Sequence, residues 1–122
     1  MAYTNFPQGI TSQGAPIIGG FPSAGKNYFL DPANGSDSYD GLSVDHAFAT
    51  LPVAYAALTA NQHDTLYYIA GATSISLSAL LTWSKSYTHF VGVAAPSHVA
   101  QRARIFQTAS ATALSPLIDI TG

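Results

Sequence analysis

The chain of 122 residues has no cysteine and no glutamate, and only 8% of its residues are charged. A soluble domain ordinarily carries about 25% charged residues. Each shortage excludes something. Without cysteine there are no disulfides and no thiolate metal sites, and the redox compartment cannot be read. The four cations, Lys26, Lys85, Arg102 and Arg104, cannot neutralise a run of phosphates, so the chain is no nucleic-acid binder. Without Glu there are no salt-bridged helical faces and no surface-charged bundle. A net charge of -2 beside 48% hydrophobic residues is unlike a charged disordered tail. No apolar run approaches the roughly 18–20 residues that span a bilayer, so no membrane partner is expected. The start, MAYTNFPQG, has no basic segment leading into an apolar one. It therefore predicts no signal peptide and synthesis in the cytoplasm of the cell that makes it.

What remains is a polar surface of Ser, Thr, Asn, Gln and Tyr, which suits β-structure and packing against other proteins. The length allows one domain, which can bury about two thirds of its unfolded surface.

Residues 1–26 stand apart. Gly9, Gly14, Gly19, Gly20 and Gly25 alternate with Pro7, Pro16 and Pro22, and no charge occurs before Lys26. Gly and Pro at this density prevent a helix and interrupt a ladder. One reading is a disordered leader, although such leaders are usually polar. The other is an extended arm that orders when its apolar residues enter pockets on another subunit. Phe6, Pro7, Ile10, Pro16, Ile17, Ile18 and Phe21 are the contact residues on that reading. The domain boundary falls at 26/27.

Residues 27–46 begin with a strand, Tyr28–Leu30, and run into the turn dipeptides Asp31-Pro32, Asn34-Gly35 and Asp40-Gly41. Asp31, Asp37 and Asp40 are weak calcium candidates, because calcium collects oxygen ligands. The spacing is not that of an EF-hand, and Asx-turns that satisfy their own backbone account for the same residues. No metal or other cofactor is expected.

Residues 50–60 predict the one helix. Thr50 is its candidate N-cap and Pro52 lies in the first turn. Leu51, Ala54, Tyr55 and Leu58 form one apolar face, and Asn61 ends it. Strands are predicted at 66–70, 74–78, 87–93, 103–107 and 116–121. Those centred near Tyr68, Val91 and Ile118 form one series, and those near Ile75 and Ile105 a second, interleaved one. A repeat of twenty-odd residues with two strands per turn is solenoid spacing. A small antiparallel sandwich fits many short strands as well.

The wording of the residues goes further. Phe29-Leu30-Asp31-Pro32-Ala33-Asn34-Gly35-Ser36-Asp37 with Asp40-Gly41-Leu42, then Ala47-Phe48-Ala49-Thr50-Leu51 and an Ala-rich helix, resembles the opening of right-handed parallel β-helix proteins of the pectin-lyase-like superfamily. Asp64-Thr65-Leu66-Tyr67-Tyr68-Ile69-Ala70-Gly71 looks like its first coil, His89–Val93 like the next, and Pro116–Thr121 like the one after. The resemblance covers residues 28–122. It implies an all-β fold of stacked coils whose N-terminal end a short helix caps. The family includes polysaccharide lyases and hydrolases as well as phage tailspikes and virion fibres, so it implies fold more than function. The arm, Tyr3–Ser12 with Gly14–Ile17, is similar to the N-termini of tailed-phage virion proteins attached to the head. That resemblance implies a capsid decoration or head-fibre protein, docked through the arm on a major capsid or other virion protein. It also implies a homo-oligomer, a trimer foremost.

The polar inventory argues against an enzyme. Glycoside hydrolysis needs two carboxylates about 5–9 Å apart, and four of the six Asp residues lie in or beside the turn region. Asp45-His46 lacks a nearby nucleophile in sequence. His46, His63, His89 and His98 show no metal-ligand spacing. Trp83 and Tyr87 are the candidates for stacking on a host surface glycan. The alternative reading is therefore the N-terminal part of a tailspike-type depolymerase, or a glycan-binding module.

Overall fold

Parallel strand pairing organises the protein, as a computed structural model shows for residues 11–12, 15–16, 25–94, 103–108 and 115–122. Strands β1 (Thr11–Ser12) and β2 (Ala15–Pro16) form a small antiparallel pair. The rest is β3 (Asn27–Leu30), a 3-10 turn (Val44–His46), helix α1 (Leu51–Ala57), and six more strands. These are β4 (Thr65–Ile69), β5 (Ile75–Leu77), β6 (Leu81–Trp83), β7 (His89–Val93), β8 (Ile105–Gln107) and β9 (Ile118–Ile120). The class is all-β with one short helix.

Three parallel ladders result: β3-β4-β7, β5-β8 and β6-β9. Parallel neighbours need a long crossover between them. Here the crossover from β4 to β7 is itself made of β5 and β6, so one circuit of the chain visits all three ladders. Thr65 lies beside His89, Ile75 beside Ile105 and Leu81 beside Ile118. The circuits lengthen from 24 to 30 to 37 positions, because longer connections enter the second one.

The strand β6, the short β1–β2 pair and the 3-10 turn were not expected, and one pairing differs. The strand near Ile118 does not continue the Tyr68–Val91 series; it pairs with β6. Three strands per circuit, rather than two, place it on a third face.

In β3, β4 and β5 alternation sends one side chain in two into a shared core. Tyr28 lies beside Leu66 and Leu30 beside Tyr68. With Ile75, Leu77 and Trp83 these four form one cluster, joined by Phe48, Leu51, Ala54 and Leu58. Each fully buried aliphatic side chain contributes about 1.5–3 kcal/mol. On the outer face Phe29 stacks on Tyr67, ring centroids 5.6 Å apart.

The start of the stack is closed. The outer edge of β3 is paired by the turn region: Phe29 N–H donates to Gly41 O, Phe48 N–H to Phe29 O and Asp31 N–H to Phe48 O. Covering an edge in this way removes a template for aggregation. Gly41 sits at φ 71 against the Phe48 ring, where a Cβ would collide. Helix α1 lays Leu51 and Ala54 into the core from the same end.

The helix differs from expectation at both termini. Thr50 occupies the N-cap position but makes no capping bond with its side chain; its hydroxyl donates to Asp37 Oδ2 at 2.8 Å. Asp37 Oδ1 accepts from Ala49 N–H and Thr50 N–H instead. A carboxylate twelve residues upstream therefore anchors the helix start. The helix stops at Ala57 rather than near Asn61. Leu58 is already extended, with ψ 144, and Asn61 lies in a left-handed turn at φ 63.

Candidate functional site

The calcium candidates are spent separately on the backbone. Asp31 accepts from the backbone N–H of Ala33 and Asn34 and from the Asn34 side-chain amide. Asp37 anchors the helix start, and Asp40 accepts from Leu42 N–H at 3.1 Å. Among the described residues no three His or Asp side chains converge to hold a metal ion. The arm contacts Phe6, Pro7, Ile10, Ile17, Ile18 and Phe21 lie outside the described residues. Of that set only the backbone of Pro16 is described, paired with Thr11.

The Asp45-His46 pair gains a hydroxyl neighbour that the sequence left unseen. Ser43 Oγ lies 3.2 Å from His46 Nδ1, and Tyr39 packs edge-on against the imidazole. The contact spans three residues of an exposed 3-10 turn, whose backbone bond from His46 N–H to Ser43 O it reinforces.

Asp64 is the strongest structural residue that composition alone did not single out. It is 2% exposed. Its two oxygens accept from Lys26 N–H at 2.8 Å and Thr59 N–H at 2.7 Å. It ties the start of β3 to the segment after the helix. Gly25 beside it has no room for a Cβ, which would meet Gln62 and Asp64.

At the C-terminal end of α1, Lys85 Nζ donates to the carbonyls of Tyr55, Ala56 and Leu58 at 2.7–2.9 Å. They lie at the negative end of the helix, where a cation is favoured, and the Tyr55 carbonyl also accepts from Leu58 N–H. The ammonium also lies 4.6 Å from the Tyr55 ring centroid. Burial pushes the Tyr55 phenol pKa up. Hydrogen bonds from the Ser84 hydroxyl and backbone N–H, with the Lys85 charge, outweigh that and hold it below its usual 10.0.

The far end of the stack is open. Among the described residues β7, β8 and β9 each have a strand neighbour on one side only. Between them lies a concavity of about 310 Å³ lined by Trp83, Phe90, Ile105, Ile118 and Ile120, with Lys85 and Thr88 also on its wall. Phe90, Val93, Phe106 and Ile120 are exposed there or along these strands. Trp83 and Tyr87 both line this space, but differently. The Trp83 ring is 9% exposed, wedged between Tyr55 and Phe90, with its indole N–H donating to Thr88 Oγ1 at 2.8 Å. That leaves little ring face for a sugar. Tyr87 is 64% exposed and packs beside His63. The capping residues fare otherwise: Leu51 and Leu58 are buried, and Tyr55 is half-buried against Trp83.

One juxtaposition was invisible in sequence. The register that sets His89 beside Thr65 also brings it to His63, with His63 Nδ1 3.3 Å from His89 Nε2.

Among the described residues, this end presents the last strand of each ladder and apolar side chains. Comparisons with protein-family models, curated proteins and solved structures return no match.

Proposed function

We propose that the three ladders are successive coils of a right-handed parallel β-helix, and that the protein is a structural component of a tailed-phage virion, a capsid decoration or head-fibre protein. The observation that carries this reading is the polarity of the stack. One end is covered by α1 and the turn region, and at the other, among the described residues, β7, β8 and β9 have a strand neighbour on one side only, around an apolar hollow. Such a body is built to be extended or covered by protein. The right-handed crossover is the general rule for parallel connections.

Segment 1–26, uncharged before Lys26, is the attachment arm on this reading, with a major capsid or other virion protein as its partner. The coil body assembles with its own copies, a trimer foremost. Support comes from the resemblance of residues 28–122 to the β-helix opening and of the arm to head-attached proteins.

The test is where the chain occurs. The encoding gene should lie among phage head or tail genes, and antibody against the chain should label purified particles. Deleting residues 1–26 should abolish attachment while leaving the circular dichroism of the β-domain intact. A gene in any other setting, or particles decorated equally well by the truncated chain, would sink the proposal.

The second reading is a glycan-binding or depolymerase module of a tailspike. It is favoured only by exposed Tyr87 at the mouth of the hollow. Glycan binding lost on Tyr87→Ala would support it.

A further inference from the structure

The geometry points to a metal site that the histidine spacing conceals: His63 and His89 form a two-imidazole chelate for a borderline transition-metal dication of the copper or zinc class. Two nitrogens bound to one tetrahedral ion at about 2.0–2.1 Å stand about 3.3–3.4 Å apart. His63 Nδ1 and His89 Nε2 are 3.3 Å apart. Their rings are close to parallel, 16° apart with centroids 5.5 Å from each other, so a small rotation of the exposed side chains brings both nitrogens onto one ion.

The pair is positioned by backbone rather than by chance contact of two flexible side chains. His89 is the first residue of β7, and its N–H donates to Asp64 O at 2.9 Å. His63 precedes Asp64 in a turn with φ 59, fastened nearby by the bond from Asn61 N–H to Ser86 O at 2.8 Å. The Tyr87 ring packs against His63, centroids 5.2 Å apart, and limits its rotation. Both histidines are exposed, so an ion can keep water at its remaining positions. Imidazole suits ions of this class, whereas calcium and magnesium prefer oxygen. No acidic oxygen competes from within: Asp64 turns its carboxylate inward to Lys26 and Thr59.

For both facing nitrogens to ligate, any hydrogen that one of them carries leaves to the other nitrogen of its ring or to solvent, and no redox step is involved.

The experiment is titration of the full chain with copper(II), read by calorimetry and by electron paramagnetic resonance. We expect saturable one-to-one binding, with hyperfine coupling from two imidazole nitrogens. His63→Asn keeps a residue that tolerates the left-handed turn, and His89→Gln keeps an unbranched strand residue. Each should weaken binding at least about tenfold, while His46→Gln leaves it unchanged. Non-saturable binding, coupling from fewer than two nitrogens, or equal affinity in all three variants would overturn the site. The two-nitrogen signature is read on the unsubstituted protein, so it decides the matter even if a variant misfolds.

Discussion

Asp64→Asn keeps the shape of a buried side chain and removes one of its two acceptors. The carboxylate takes the N–H of Lys26 on one oxygen and that of Thr59 on the other. An amide has one oxygen, so whichever way it turns, its NH2 faces a backbone N–H. One buried donor is then left without an acceptor, which costs about 1–3 kcal/mol. The surviving bond loses its charge assistance, roughly half its strength, or about 1 kcal/mol. The sum, about 2–4 kcal/mol, is a large share of the roughly 5–15 kcal/mol that holds a domain together. At about 3–5 °C per kcal/mol for a chain of this size, Tm should fall by about 6–20 °C. Urea unfolding followed by circular dichroism gives the free energy directly, with an unchanged slope expected. A loss below about 0.5 kcal/mol, the value of an ordinary surface change, would refute the idea that Asp64 clamps the start of β3 to the end of the cap.

Three further outcomes follow from the same contacts. Lys85→Met keeps the aliphatic stem but removes the ammonium from the Tyr55, Ala56 and Leu58 carbonyls, of which Tyr55 O keeps the Leu58 N–H, so stability should drop by about 1–3 kcal/mol. Amide exchange should quicken in the last turn of α1. Gly41→Ala places a Cβ at positive φ against the Phe48 ring and should cost more than about 2 kcal/mol in the same unfolding assay. Because the Tyr55 phenol pKa is lowered in the fold, the folded state releases that proton first. Its contribution to stability therefore grows as pH rises through the folded value and is complete above the ordinary value of 10.0. Tyr55→Phe should abolish this alkaline gain and remove the earliest part of the phenolate absorbance titration.

Legibility varied with how local each cause was. The helix near 51–57, the turn dipeptides and all but one of the main strands are set by neighbours in sequence, through apolar period, Pro and Gly. The short β6 was missed; its strand character rests on its pairing with Ile118–Ile120, far along the chain. The anchoring of Thr50 by Asp37 and the clamp on Lys26 by Asp64 were missed because each joins segments 12 or more residues apart. The Trp83 ring looked available for sugar because sequence does not show that Tyr55, Phe90 and Thr88 enclose it.

By itself the sequence determined a charge-poor, cysteine-free, all-β chain with a Gly/Pro-rich segment uncharged before Lys26 and one slim helix. These follow from composition and local periodicity, which need no partner. Only the tertiary structure decided which strands are neighbours. Register is fixed by which side chains can share one core, and that core exists only after the chain has made its circuit. From the register come the third ladder, the sealed and open ends, and the meeting of His63 with His89.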